Sequence, residues 1–227
     1  MKRLFTTLRE LTFKQKLEHI WEYYKIQIIA FLFVVALGIS FYHTVILNPP
    51  KQIYLYIAWR GYEEMPERMQ LLGHHLSVIV DDLERQQVLV SNYLPSGIQQ
   101  VDMQVASQLT AMLTMGEIDL LIVQYADLID WSRSGHIQNW DAPMEAVARF
   151  NPGLYEMLST KLMPVTFQPL ASGTPLRTEF MALPLAESPI MQALGFEADR
   201  LFLCVVVNSR RLDEIARALI VLYAWGA

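Results

Sequence analysis

Residues 118–123, Ile118-Asp119-Leu120-Leu121-Ile122-Val123, form a short and nearly continuous apolar run, the pattern of a strand covered on both faces. Upstream, Ile53-Tyr54-Leu55-Tyr56-Ile57-Ala58 is rich in β-branched and aromatic residues and reads as another strand. Pro66 opens a helix whose stripe is Met69, Leu72, Leu76, Ile79 and Leu83, at spacings of three and four. Val88-Leu89-Val90 is a short apolar run, and Leu94-Pro95-Ser96-Gly97 is a loop. Val101, Val105, Leu109 and Met112 mark a second helix that Gly116 stops. Strand, helix, strand, helix, strand in this order predicts a parallel sheet with right-handed crossovers.

The second half is less regular. Leu128 to Trp131 begins a short helix that Gly135 ends, and Met144 to Leu158 is helical with a break at Asn151-Pro152-Gly153. Val165 to Leu170 and Phe180 to Leu183 read as strands around a Ser172-Gly173-Thr174-Pro175 turn. Leu201 to Val207 is the strongest strand, followed by a helix capped by Asn208 or Ser209 with Leu212, Ile215, Leu219 and Leu222 on one face. Asp213 and Glu214 stand in its first turn, where the helix dipole favours acids. The expected fold class is α/β, a single three-layer lobe with a mainly parallel sheet.

A different run precedes the lobe. Ile26 to Leu47 carries no charged side chain except His43. As a helix its 22 residues reach about 33 Å, enough to cross a hydrocarbon core of about 30 Å. It is longer than a signal-peptide core, some 25 residues precede it, and the following Ile46-Leu47-Asn48-Pro49-Pro50 has no small-x-small cleavage site. The expectation is a retained single-pass anchor. Six basic and three acidic residues precede the run, whereas the chain after it has a net charge of −8. Basic residues gather at the cytoplasmic end of a span, so the N-terminus is expected inside a bacterial cell membrane and the lobe outside. Trp21, Tyr23, Tyr24 and Tyr42 are placed as interfacial anchors. The expected division is a juxtamembrane helix (1–25), the span in the lipid bilayer (26–47), a linker (48–52) and the lobe (53–227). Within the first piece, Thr12 and Gln15 have capping-box spacing, and Phe13, Leu17, Ile20 and Tyr24 share one helical face.

The acidic balance argues against nucleic acid as a partner. One cysteine, Cys204, excludes an intramolecular disulfide, and its apolar strand makes a buried, inert thiol the expectation. No G-x-S-x-G, H-E-x-x-H, C-x-x-C, P-loop or G-x-G-x-x-G is present. His74 and His75 are adjacent on a helix, so they diverge rather than share a metal ion. Asp81, Asp82 and Glu84 read as a solvated acidic face, and Glu117 with Asp119 as a turn before the buried strand. Neither a cofactor nor a metal is expected.

Three stretches carry a family resemblance. Met115-Gly116-Glu117-Ile118-Asp119-Leu120-Leu121-Ile122, Met181-Ala182-Leu183-Pro184-Leu185, and Val207-Asn208-Ser209-Arg210-Arg211 with Ile215-Ala216 resemble, in that order, the third-strand entry, the lobe-crossing strand and the last strand and helix of extracytoplasmic solute-binding proteins of ABC importers. The resemblance implies a periplasmic-binding-protein fold of α/β lobes. Only about 20 residues separate Leu185 from Val206, so the second lobe is expected to be missing. A helical anchor also departs from the family's usual lipoprotein or secreted form. The chain is closer to half-length, helix-anchored relatives found in some bacteria.

Open parallel sheets bind ligands beyond the carboxyl ends of their strands. Those ends carry Trp59, Arg60 and Tyr62, then Asn92 and Tyr93, then Gln124, Tyr125 and Asp127, aromatics beside hydrogen-bonding groups, as a small-molecule cleft requires. These eight are the candidate ligand-binding residues. The expected function is a non-catalytic membrane-anchored binding module, acting as sensor, accessory or scaffold subunit. A small solute or another membrane or extracellular protein is its expected partner. An extracytoplasmic hydrolase and a purely structural membrane-complex subunit are the alternatives. The short, proline-bearing linker would hold the strand ends away from the bilayer, which disfavours delivery of solute to a permease.

Overall fold

The computed structural model of the chain describes residues 13–47, 51–60, 66–94, 98–170 and 174–224. The chain divides into two compact units, Met1–Pro50 and Lys51–Ala227.

In the first unit, helix α1 (Phe13–Phe41) continues into a π-helical stretch, Tyr42–Leu47. Within them Tyr24–Val45 is long and apolar enough to cross a membrane by length and composition, and none of it is buried in protein. Thr12, whose spacing to Gln15 suggested a capping box, and the linker residues 48–50 lie outside the described residues.

The second unit is a mixed α/β fold. Its strands are β1 (Gln52–Trp59), β2 (Gln86–Asn92), β3 (Leu120–Gln124), β4 (Ile137–Gln138), β5 (Met163–Phe167), β6 (Arg177–Pro184) and β7 (Leu201–Val206). They form one sheet in the order β2-β1-β3-β7-β6-β5, with β4 also on β7. Gln52 is therefore part of the first strand rather than of a linker. As expected, β1 lies parallel to β2 and to β3. The second half departs from that pattern. β7 runs antiparallel to β3, with Cys204 opposite Leu121, and β4, β6 and β5 join antiparallel as well. An apolar run looks the same whichever way its neighbours run, so LFLCVVV identifies a buried strand without its direction.

Alternate side chains of the central strands enter two separate buried clusters, as the period of two demands. Leu55, Ile57, Leu120, Ile122, Leu203 and Val205 join one cluster. Helices α2 (Pro66–Leu76), α5 (Asp141–Phe150), α6 (Pro152–Ser159), α7 (Pro189–Ala193) and α8 (Leu212–Ala224) contribute Leu72, Val147, Leu158, Ile190 and Leu219 to it. Tyr56, Ala58, Leu121, Val123, Cys204 and Val206 join the other, with Leu109 and Leu113 of α3 (Gln99–Met115) and Leu128 and Trp131 of α4 (Tyr125–Arg133). Leu120, Leu121 and Ile122 are each 2% exposed or less, and burying each side chain stabilises the fold by about 1.5–3 kcal/mol.

Local detail refines four of the expected elements, and the expected break at Asn151-Pro152 is met. α2 stops at Leu76, and a 3-10 turn, Ser77–Ile79, follows; the Ser77 hydroxyl donates to the His74 carbonyl, a local bond that competes with the helix. Leu83, expected on the same stripe, is 53% exposed. α3 buries Leu109 and Leu113 while Val101 stays exposed. Met144 to Leu158 divides into α5 and α6 because the Asn151 side chain accepts the Leu154 N–H at 3.0 Å and Pro152 takes the next position, a strong helix start. At α8, the Asn208 amide donates to the Thr114 carbonyl at 2.9 Å, and the Arg211 N–H reaches the Ser209 hydroxyl at 3.4 Å.

Candidate functional site

The carboxyl ends of β1, β2 and β3 meet beside α3 and α4. Arg60, just past β1, donates its N–H to the Ile122 carbonyl at 2.9 Å, which fixes it against β3. Its guanidinium Nε lies 3.4 Å from Asp127 Oδ1 and its Cζ 5.7 Å from the centre of the Trp131 ring. Asp127 and Trp131 are four apart on α4, hence on one face. Both are buried. Among the described residues, Asp127 Oδ2 has no donor and Trp131 Nε1 no acceptor. Burial raises the Asp127 pKa above the usual carboxylate value; the Arg60 charge opposes the rise and Asp130 adds to it.

Tyr93 follows β2 and donates its N–H to the Trp59 carbonyl at 2.7 Å. Its hydroxyl is 2.6 Å from that of Tyr56 and 3.4 Å from the Met112 sulfur. Burial, then the Tyr56 bond, push its pKa well above the ordinary phenol range. Arg60 and Tyr93 share a cleft with Asp102, Val105, Ala106 and Leu109 of about 50 Å³. That is room for a water or two at about 30 Å³ each, far below the roughly 300–1,000 Å³ of small-molecule pockets.

Of the eight strand-end residues, then, Arg60, Tyr93 and Asp127 come together. Trp59 turns to the other cluster, 5% exposed, its ring 4.8 Å from that of Phe196. Asn92 is Trp59's ladder partner and lines a different groove. Gln124 ends β3, and Tyr125 is exposed with its ring 6.0 Å from Phe202. Tyr62 lies outside the described residues. Sequence reasoning missed Tyr56 and Trp131; the four-residue interval from Asp127 to Trp131 was a usable signal once α4 was known to start at Tyr125.

At the opposite end of β3, two of the quoted motifs meet. Asp119, 1% exposed, accepts the Tyr56 N–H at 2.9 Å, the Ser209 hydroxyl at 2.8 Å and the Arg211 guanidinium at 2.8 Å. Gly116 ends α3 with φ 70°, and a Cβ there would stand 2.8 Å from the Asn208 carbonyl oxygen. The Gly-Glu-x-Asp run and the Asn-Ser-Arg-Arg run therefore fasten one loop to the other. This is the turn role expected for Asp119, with a charge partner the sequence did not reveal.

The remaining titratable groups are placed as follows. His74 and His75 have ring centres 6.3 Å apart. Asp82 Oδ1 accepts from the Glu84 and Arg85 N–H groups, and Asp81 pairs with Arg217 at 3.6 Å. No group of three or more metal-ligating side chains occurs among the described residues. The Cys204 thiol is fully buried, which pushes its pKa up. Compared with known proteins, the chain matches no family description, and neither a curated protein nor a solved structure matches it.

Proposed function

We propose that the chain is a membrane-anchored, non-catalytic binding module that holds its α/β lobe outside the cell and recognises polypeptide. In this reading Ile26–Leu47 spans the bilayer with the N-terminus inside, and the lobe is a three-layer relative of one half of a solute-binding protein. The observation that supports polypeptide over solute is the closure of the strand-end rim. Arg60 is held by Asp127, the Tyr56 and Tyr93 hydroxyls by each other, and about 50 Å³ is left between them. A family fold that closes two lobes around solute is here a single lobe with its mouth filled by its own side chains.

The test is topological. Protease added to spheroplasts should remove the lobe and leave a small membrane-held fragment. A lobe protected until the membrane is lysed, or released whole without protease, overturns the anchored reading.

A solute sensor is the second reading. The buried Asp127 Oδ2 and Trp131 Nε1 beside Arg60 favour it, since a ligand bearing a donor and an acceptor would satisfy both. A small-solute screen by thermal shift separates the two, because a ligand that binds only the native state raises the midpoint. A clear rise abolished by Arg60→Gln supports the sensor and removes the polypeptide reading.

A further inference from the structure

We propose that the groove between α2 and the open edge of β2 is a docking site for an extended, uncharged polypeptide segment, which adds to the sheet as a further strand. This rests on the binding-module reading above and names the partner's form.

β2 is the end strand of the sheet and pairs only with β1 among the described residues. Its second edge therefore directs alternate N–H and C=O groups outward, the arrangement that captures another strand. Natural edges are blunted by charge or proline. The opposite end strand is built that way: β5 carries Pro164, and its partner β6 carries Arg177 and Glu179. β2, Gln86-Gln87-Val88-Leu89-Val90-Ser91-Asn92, has neither charge nor proline. Seven residues run about 23 Å at about 3.3 Å each.

A groove of about 900 Å³ follows that edge. Its other wall is one face of α2, with Met69, Gln70, Gly73 and His74, spaced one, three and one apart. A volume of that size admits a small molecule as well as a short peptide; the unpaired strand edge is what selects the peptide. Lys51 and His74 are the ionisable groups in the lining, and the Lys51 ammonium already donates to the Leu83 carbonyl. With no carboxylate in the wall among the described residues, nothing described there recognises a basic peptide. Val88 and Val90 pack toward the α2 side and Leu89 toward the other, and with Gln70, Gln86 and Gln87 in the lining they suit apolar side chains alternating with small polar ones.

The helical wall also selects between occupants. A second copy pairing through its own β2 would bring its own α2 beside a groove that already has one helical wall. A lone strand carries no such helix. Gly73 supplies part of the width: it sits inside α2 despite the helix-propensity cost of glycine, with Val90 Cγ2 and the Val88 carbonyl oxygen as the nearest atoms to a Cβ built there, at 3.6 and 3.7 Å. Alanine fits at those distances, whereas leucine would project into the groove.

The experiment uses the full chain in phosphatidylcholine nanodiscs. The probe is an end-capped heptapeptide library built from Val, Ile, Thr, Ser and Gln, read by fluorescence polarisation. Saturable binding is expected. N-methylation of alternate residues in the best peptides, which removes their edge donors, should weaken binding at least tenfold. Gly73→Leu should do the same, and Gly73→Ala should change it less than threefold. Amide exchange on the wild type keeps the test decisive if Gly73→Leu fails to fold: the peptide should protect Gln86–Asn92. Three results overturn the proposal: no library member binds; binding is indifferent to N-methylation, or to Gly73→Leu in a folded variant; or protection appears elsewhere. A chain dimer broken by Gly73→Leu makes the occupant a second copy and overturns it too. Protection at the Arg60–Tyr93 rim would sink the groove and leave a binding module standing, whereas a lobe found inside the cell sinks the membrane reading without touching the groove's affinity.

Discussion

Asp119 joins three donors, one from the backbone, one neutral and one charged, at a point with almost no access to water. Asp119→Ala leaves the Tyr56 N–H and the Arg211 guanidinium without their acceptor. Orphaned buried donors cost about 1–3 kcal/mol each, but Arg211 is about a third exposed and recovers part of its share from water. The expected loss is about 3 kcal/mol, read from the urea midpoint, with Arg211→Ala costing about 1 kcal/mol. Equal losses for the two variants would mean the ion pair rather than the whole cluster carries the loop. Asp127 makes a second residue-scale prediction, about pH. Its pKa is raised in the fold, chiefly by burial, so the folded state binds that proton more tightly than the unfolded chain does. Its contribution is then most favourable below the ordinary carboxylate range and declines as pH rises through it to the folded value. Relative to wild type, Asp127→Asn should therefore become progressively more stable as pH rises from about 3 to 7, measured by thermal melts across that range. An opposite slope would show that the Arg60 pair outweighs burial.

Gly116 ends α3 where only a left-handed residue can, and it does so against the Asn208 carbonyl. Gly116→Ala meets both the φ penalty and the close contact and should cost at least about 2 kcal/mol. Gly73→Ala, inside α2 with ordinary contacts at its Cβ, should instead stabilise by about 0.5–1 kcal/mol and raise the melting midpoint by about 2 °C. The two substitutions form a matched pair under calorimetry, and the same sign for both would contradict the geometry at one of them. Elements of this kind were largely legible from the sequence. The apolar runs at Ile53, Val88, Ile118 and Leu201, the stop at Gly116 and the break at Asn151-Pro152 each became the element that local chemistry implies. Pairing was the hidden part. The partner of β7 is set by side chains some 80 residues apart in sequence, such as Leu121 and Cys204, and no local pattern carries that information. The site was legible as a location more than as a residue set: strand ends were the right place for Arg60, Tyr93 and Asp127. Trp59 was lost because neighbouring strand residues face opposite sides of the sheet, and only the three-dimensional core decides which side is roomy.

Across the whole molecule, the chain divides after residue 50 into a helix with an unburied 22-residue apolar window and a lobe with apolar clusters on alternate sides of its strands. If the window is a membrane anchor, deleting residues 1–50 should convert the protein from one extracted only by detergent to one recovered in the aqueous fraction, with the lobe's denaturation midpoint within about 0.5 kcal/mol of the original, because distant, independent parts contribute additively. A lobe that unfolds on deletion would show that the units depend on each other. The position of β7 has a further meaning in time. This strand lies between β3 and β6, yet among the described strands it is made last. At about 5–20 residues per second, some 4–17 s separate the synthesis of Leu121 from that of Cys204. Throughout that interval β3 has an unzipped margin, so the nascent lobe is a half-built sheet needing protection from its neighbours, and chains halted before residue 201 should be digested at protease levels the finished protein survives.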